Sequence, residues 1–157
     1  MSGVVLFSIS KWSCFRLTLA AIKARLAKYP EIRYQEQEGE IIVFPLDESG
    51  FEVSFSVTTC EHVVSFSGWH EPFADPQEAL NCFAFGLSDQ CRLKVSYRGA
   101  HAHQWTVEYF ESDSNTWIES SSTGLLVFPF WRKLTMKYFQ NRLPFRQGSA
   151  KASRTRP

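Results

Sequence analysis

Between residues 12 and 29 the apolar positions recur at helical spacing. Trp12, Phe15, Leu19, Ile22, Leu26 and Tyr29 share one stripe, with Arg16, Lys23, Arg25 and Lys28 off it. Four alanines favour this helix, and Pro30 stops it after Tyr29. The period then drops to two. Residues 32–37 and 40–44 read as strands around a Glu38-Gly39 turn, and Asp47-Glu48-Ser49-Gly50 is a second turn. Phe51, Val53, Phe55 and Val57 alternate with Glu52, Ser54 and Ser56, and residues 61–67 continue as a fourth strand. Connections this short favour antiparallel neighbours, since parallel strands need long crossovers.

Helical spacing returns after Asp75, which suits an N-cap, with Pro76 at the first helical position and Glu78 in the place of a capping box. Leu80, Phe83, Ala84 and Leu87 supply the apolar face, and Ser88-Asp89 ends the segment. Strands are expected over 92–97, 104–110 and 116–121, with a short further one over 124–128. Pro129 then opens a third expected helix, with Phe130, Trp131, Leu134 and Tyr138 on one stripe and Arg132, Lys133 and Lys137 turned away from it. Past Arg146 no large apolar residue remains, so 146–157 is expected to be a disordered basic tail.

The order α-β-β-β-β-α-β-β-β-α predicts a single α+β domain over residues 1–145. Its form would be a curved antiparallel sheet of about six to eight strands with three helices against one face. A length of 157 residues and 18.1 kDa fits one domain better than two. Apolar residues at 44% and charged ones at 21% exclude a collagenous or wholly disordered chain.

The net charge of +1 hides a strong segregation. Residues 1–33 carry +5, residues 34–122 carry −12, and residues 123–157 carry +8 with no acid at all. The simplest arrangement docks the basic terminal helices beside an acidic sheet, in exposed pairs contributing about 0–1 kcal/mol each. Basic ends therefore do not by themselves imply a polyanion, and a nucleic-acid partner is not expected.

The cysteines, Cys14, Cys60, Cys82 and Cys91, form no C-x-x-C pair. Their scatter suits reduced thiols in a cytoplasmic protein better than a disulfide framework. No basic residue precedes the short apolar run after Met1, so a signal peptide is not expected, and no window is apolar enough for a transmembrane segment.

Candidate chemistry is sparse. On a strand His101 and His103 would point the same way, with Trp105, Val107 and Tyr109, and Cys60 and His62 share parity with Val64 and Phe66. Converging strands could make a ligand set of these, but hydrogen-bonded or exposed histidines explain them as well. Gly68-Trp69-His70-Glu71-Pro72-Phe73 is expected to form the loop before the second helix. There His70 beside Glu71 could act as acid and base between apolar walls. If the sheet's concave face were open, Phe55, Phe66, Trp105, Tyr109 and Trp117 could line an apolar pocket. The ligand-binding candidates are thus His62, Trp69, His70, Glu71, His101, His103, Trp105 and Tyr109. Ser120-Ser121-Ser122-Thr123-Gly124 lacks the surroundings of a nucleophile elbow or phosphate loop. No spacing calls for a catalytic residue, a metal or a cofactor.

Three functions remain, none with a catalytic signature. The first is a non-catalytic interaction or accessory domain, binding another protein or a second copy through a sheet or helix face. The second is a small-molecule-binding domain or enzyme with a pocket between sheet and helices. The third is nucleic-acid or anionic-membrane binding through the basic termini.

Overall fold

The computed structural model describes residues 18–58 and 61–143. The first helix, α1, is seen over 18–26, where Leu19, Ile22 and Leu26 are buried. Tyr29 N donates to Leu26 O at 2.9 Å in the closing turn, and Pro30 prevents continuation. Trp12, Phe15, Cys14, Cys60 and the 146–157 tail lie outside the described residues.

Five strands follow as a meander: β1 (Tyr34–Gln37), β2 (Glu40–Val43), β3 (Val53–Val57), β4 (His62–Phe66) and β5 (Trp69–Phe73). They pair in chain order, each antiparallel to the next. Gly39, at φ +77°, makes the β1–β2 turn in a region costly for other residues. The expected loop at 69–73 is instead β5, because Ser67 adopts φ 53° and Ser67-Gly68 closes a tight hairpin. Helix α2 (Pro76–Leu87) starts at the predicted Asp75 N-cap with Pro76 in its first turn, Gln77 N donating to the Asp75 carboxylate at 3.0 Å. Ser88 caps its other end through N–H and Oγ bonds to Phe85 O.

The chain then builds a second sheet. Strands β6 (Cys91–Arg98), β7 (His101–Glu111), β8 (Thr116–Gly124) and β9 (Leu134–Phe139) lie in the order β8-β7-β6-β9. Two expectations are corrected here. Among the described residues the single curved sheet is two antiparallel sheets, of five and four strands, because α2 carries the chain away from β5 and no strand of the second set pairs with the first. There are two helices among the described residues rather than three, because the segment after Pro129 reaches β6 as a strand. Leu134, Met136 and Tyr138 share a face at period two as readily as Leu134 and Tyr138 share a helical stripe. The open edge of β6, with backbone groups needing partners, decides between them. The short strand expected over 124–128 is also absent, since β8 ends at Gly124.

The core lies where α2 packs on β3 and β4 and reaches β5 and β6. Ile41, Val53, Phe55, Val64, Phe66, Cys91 and Leu93 are fully buried in it. Phe66 stacks on Trp69 at 4.7 Å, and Phe55 meets Phe83 edge-on at 6.0 Å. A Cβ at Gly86 would stand 2.2 Å from Phe66, so glycine lets the end of α2 approach the sheet. Asn141, just past β9, fastens three elements. It accepts from Phe51 N at 3.1 Å and donates to Phe51 O at 3.0 Å and Gly86 O at 2.9 Å.

Candidate functional site

The first sheet's helix-facing side is filled rather than hollow, since Phe55 and Phe66 are fully buried against α2 and β5. A groove of about 160 Å³ separates α1 from α2, lined by Ile22, Leu26, Leu80, Phe83 and Ala84 with Arg25 and Gln77 among them. It is smaller than the several hundred Å³ of ordinary ligand pockets.

The sequence-selected side chains are scattered over this scaffold. Trp69 is buried and donates its Nε1–H to Ser121 Oγ at 3.0 Å, joining β5 to β8. His70 and Glu71 are consecutive on β5 and so point to opposite faces, His70 exposed and Glu71 half-buried on the side of Trp69 and Phe73. The strand thus keeps them from acting together on one substrate. His62 lies on β4 against Phe55, 5.9 Å between ring centroids, while His101 is exposed at the start of β7. His103 is buried on β7 with its ring 4.4 Å from Phe128. The Nδ1 atoms of His62 and His103 are buried without a hydrogen-bond partner among the described residues. Trp105 lies across Gly68, where an added Cβ would come within 2.2 Å of its indole. Tyr109 is exposed opposite Cys91 and Ile118. Among the described residues no three His, Cys, Asp or Glu side chains gather into a metal-sized cluster.

What the second sheet does assemble is a charged strip with an apolar margin. Arg92 is held between the rings of Trp117 and Tyr138, 4.5 Å from each centroid, and donates to the buried Glu108 at 2.6 Å. Lys94 bonds Glu119 and lies 3.7 Å from the second Glu108 oxygen. Glu119 beside it holds the Lys94 ammonium above its ordinary pKa. These charges are paired with one another on the sheet's outer face, so a partner would meet a neutralised centre.

The margin spans the stretches that the sequence predicts as a short strand over 124–128 and as an amphipathic third helix from Pro129. Leu134, Met136 and Tyr138 on β9 are 40%, 50% and 52% exposed, and the second edge of β9 faces no other strand among the described residues. In the preceding loop Leu125, Leu126, Val127, Phe130 and Trp131 are 53%, 99%, 90%, 71% and 73% exposed. This loop is clamped at both ends. Leu125 N donates to His103 O at 2.8 Å and the Phe128 ring packs on His103, while Gly99 N donates to Lys133 O at 3.0 Å. Gly99, at φ +63°, also makes room for Arg132, whose Cδ would lie 2.8 Å from an added Cβ. Leu125-Leu126-Val127, an apolar run without alternation between a serine-rich strand and Pro129, was the signal available in the sequence. Comparison with protein-family models, curated proteins and solved structures finds no match for this chain, and function has to be read from the geometry.

Proposed function

We propose that this chain is a non-catalytic interaction module, and that its partner is an extended acidic segment of another protein added alongside β9. The observation that carries this reading is the outer edge of β9, which pairs with no strand among the described residues and presents an exposed apolar row. Charge selects the kind of partner. Arg132 and Lys133 immediately precede β9 and Lys137 lies on it, its ammonium 5.3 Å from the Tyr97 ring centroid, and no acidic residue follows Glu119. A second copy pairing here would bring two sets of these cations onto one seam, whereas an acidic strand would complement them. The pocket alternative has less support, because the helix-facing side of the first sheet is occupied by phenylalanines.

A photo-crosslinking residue at Met136, introduced in the protein's own cells, tests the proposal, with the exposed Gln35 on β1 as control. A discrete adduct is expected from position 136 and not from 35, and it should disappear with Lys133→Glu and Lys137→Glu together. Equal adducts at both positions, or none at either, would count against an interface at β9.

A further inference from the structure

We propose that the loop over residues 125–131 is a membrane-surface anchor, placing its apolar tip in an anionic bilayer. This goes beyond partner docking on β9: its contact is made by Leu126, Val127, Phe130 and Trp131, and it shares with that reading the cations Arg132, Lys133 and Lys137.

Leu126 and Val127 are almost wholly exposed, and Phe130 and Trp131 nearly three-quarters so. Exposed aliphatic groups at a tip, then aromatic rings, then the consecutive cations Arg132 and Lys133, match the depth order of a bilayer surface. Aliphatic groups enter the acyl boundary, Trp and Phe lie at headgroup level, and cations meet lipid phosphates. Phe130 and Trp131 brace each other edge-on at 5.2 Å. Charge complementarity favours anionic lipid, since residues 120–143 contain Arg132, Lys133, Lys137 and Arg142 and no acid. The loop's exposure is built in: His103 holds its root through Leu125 and Phe128, and Gly99 holds its end through Lys133. A protein partner reading strand edges would find no ladder here, because residues 125–131 form no strand. No helix among the described residues is long and apolar enough to cross a membrane, so the attachment proposed is interfacial.

Co-sedimentation of the full chain with phosphatidylcholine vesicles, with and without phosphatidylglycerol, tests the proposal. The chain should sediment with the phosphatidylglycerol vesicles, less so as salt rises. Leu126→Glu with Val127→Glu should lower partitioning by about tenfold or more. These side chains are too exposed for the change to alter the fold, and an unchanged thermal melt verifies it. Arg132→Gln with Lys133→Gln should remove the preference for phosphatidylglycerol. Failure of the unsubstituted chain to sediment, or sedimentation unaffected by the glutamates, overturns the proposal. If vesicles are ignored but the glutamates abolish the adduct at position 136, the loop belongs to the protein interface. The lipid proposal then fails while the interaction module stands. A dimer in light scattering that the glutamates dissociate would assign the loop to a second copy and likewise overturn it.

Discussion

Removing the Asn141 side chain should loosen β9 from the body of the protein. The residue is 5% exposed, and its carboxamide makes three hydrogen bonds, two to the backbone of Phe51 and one to Gly86 O at the end of α2. Asn141→Ala leaves one N–H and two carbonyls without these partners, and each such buried group costs about 1–3 kcal/mol. Some of that cost is recoverable. Asn141 lines a groove of about 30 Å³ with Pro45, Gly50 and Leu87, room enough for a water to reach part of the set. The expected loss is therefore about 2–4 kcal/mol, read as a lowered urea midpoint at unchanged slope. Asn141→Asp sharpens the test by replacing the donor that faces two carbonyls with an acceptor. Its carboxyl would hold a proton more tightly folded than unfolded, so the folded state binds more protons and stability falls as pH rises. Asn141→Asp should thus lose more at pH 7 than at pH 4, relative to the unsubstituted chain. A loss under about 0.5 kcal/mol for the alanine variant would refute the bonding scheme. An aspartate variant as stable as the parent at neutral pH would refute the placement of the amide nitrogen.

Three further outcomes can be measured. Gly86→Ala sets a helix-propensity gain of up to about 1 kcal/mol against overpacking of about 1–3 kcal/mol, because the Phe66 ring 2.2 Å from the new Cβ is wedged against Trp69 and Phe51. A net loss of about 1–2 kcal/mol in thermal or urea unfolding is expected, and a stabilised variant would contradict the packing. The raised pKa of Lys94, due mainly to its hydrogen bond with Glu119, means its stabilising contribution is complete below the unfolded value. It is lost as pH rises through the folded one. The stability difference between the parent and Lys94→Met should be constant between about pH 6 and about pH 10, shrink above that range, and shrink in acid as the carboxylate partners protonate; a difference already shrinking near neutrality would contradict the pairing. Burial pushes the Cys91 thiol well above its ordinary pKa, whereas Cys82 is only half-buried. Peptide-resolved alkylation should modify Cys82 first and Cys91 only on unfolding, and early modification of Cys91 would contradict its burial.

Much of the first half of the fold was legible from residue order. The Leu19–Leu26 part of the α1 stripe, the Glu38-Gly39 turn, the strand over 53–57 and the Asp75-Pro76 start of α2 depend on neighbours a few residues apart, and the structure shows each, although Ser54 on the expected wet face is buried. The candidate site was much less legible. His70 and Glu71 looked like partners in a loop, but a two-residue turn at Ser67-Gly68 made their segment a strand and separated them. Arg92, Trp117 and Tyr138 are not legible as a group in the sequence, because they meet only through strand pairings remote in sequence.

By itself, the sequence determined an α+β protein of antiparallel strands, with two helices bounded by Pro30 and by Asp75-Pro76 and all late charges basic. Tertiary structure decided how the strands divide into two sheets, and that residues 134–139 complete the second as β9. The reason is the range of the forces involved. Helix stripes, caps and tight turns are set within a few residues, whereas β9 forms because β6, about forty residues earlier, offers unpaired backbone groups. Once Leu134–Phe139 is drawn to that edge as a strand, the apolar stripe expected to cover a sheet cannot form. Phe130 and Trp131 are left in the loop, facing outward.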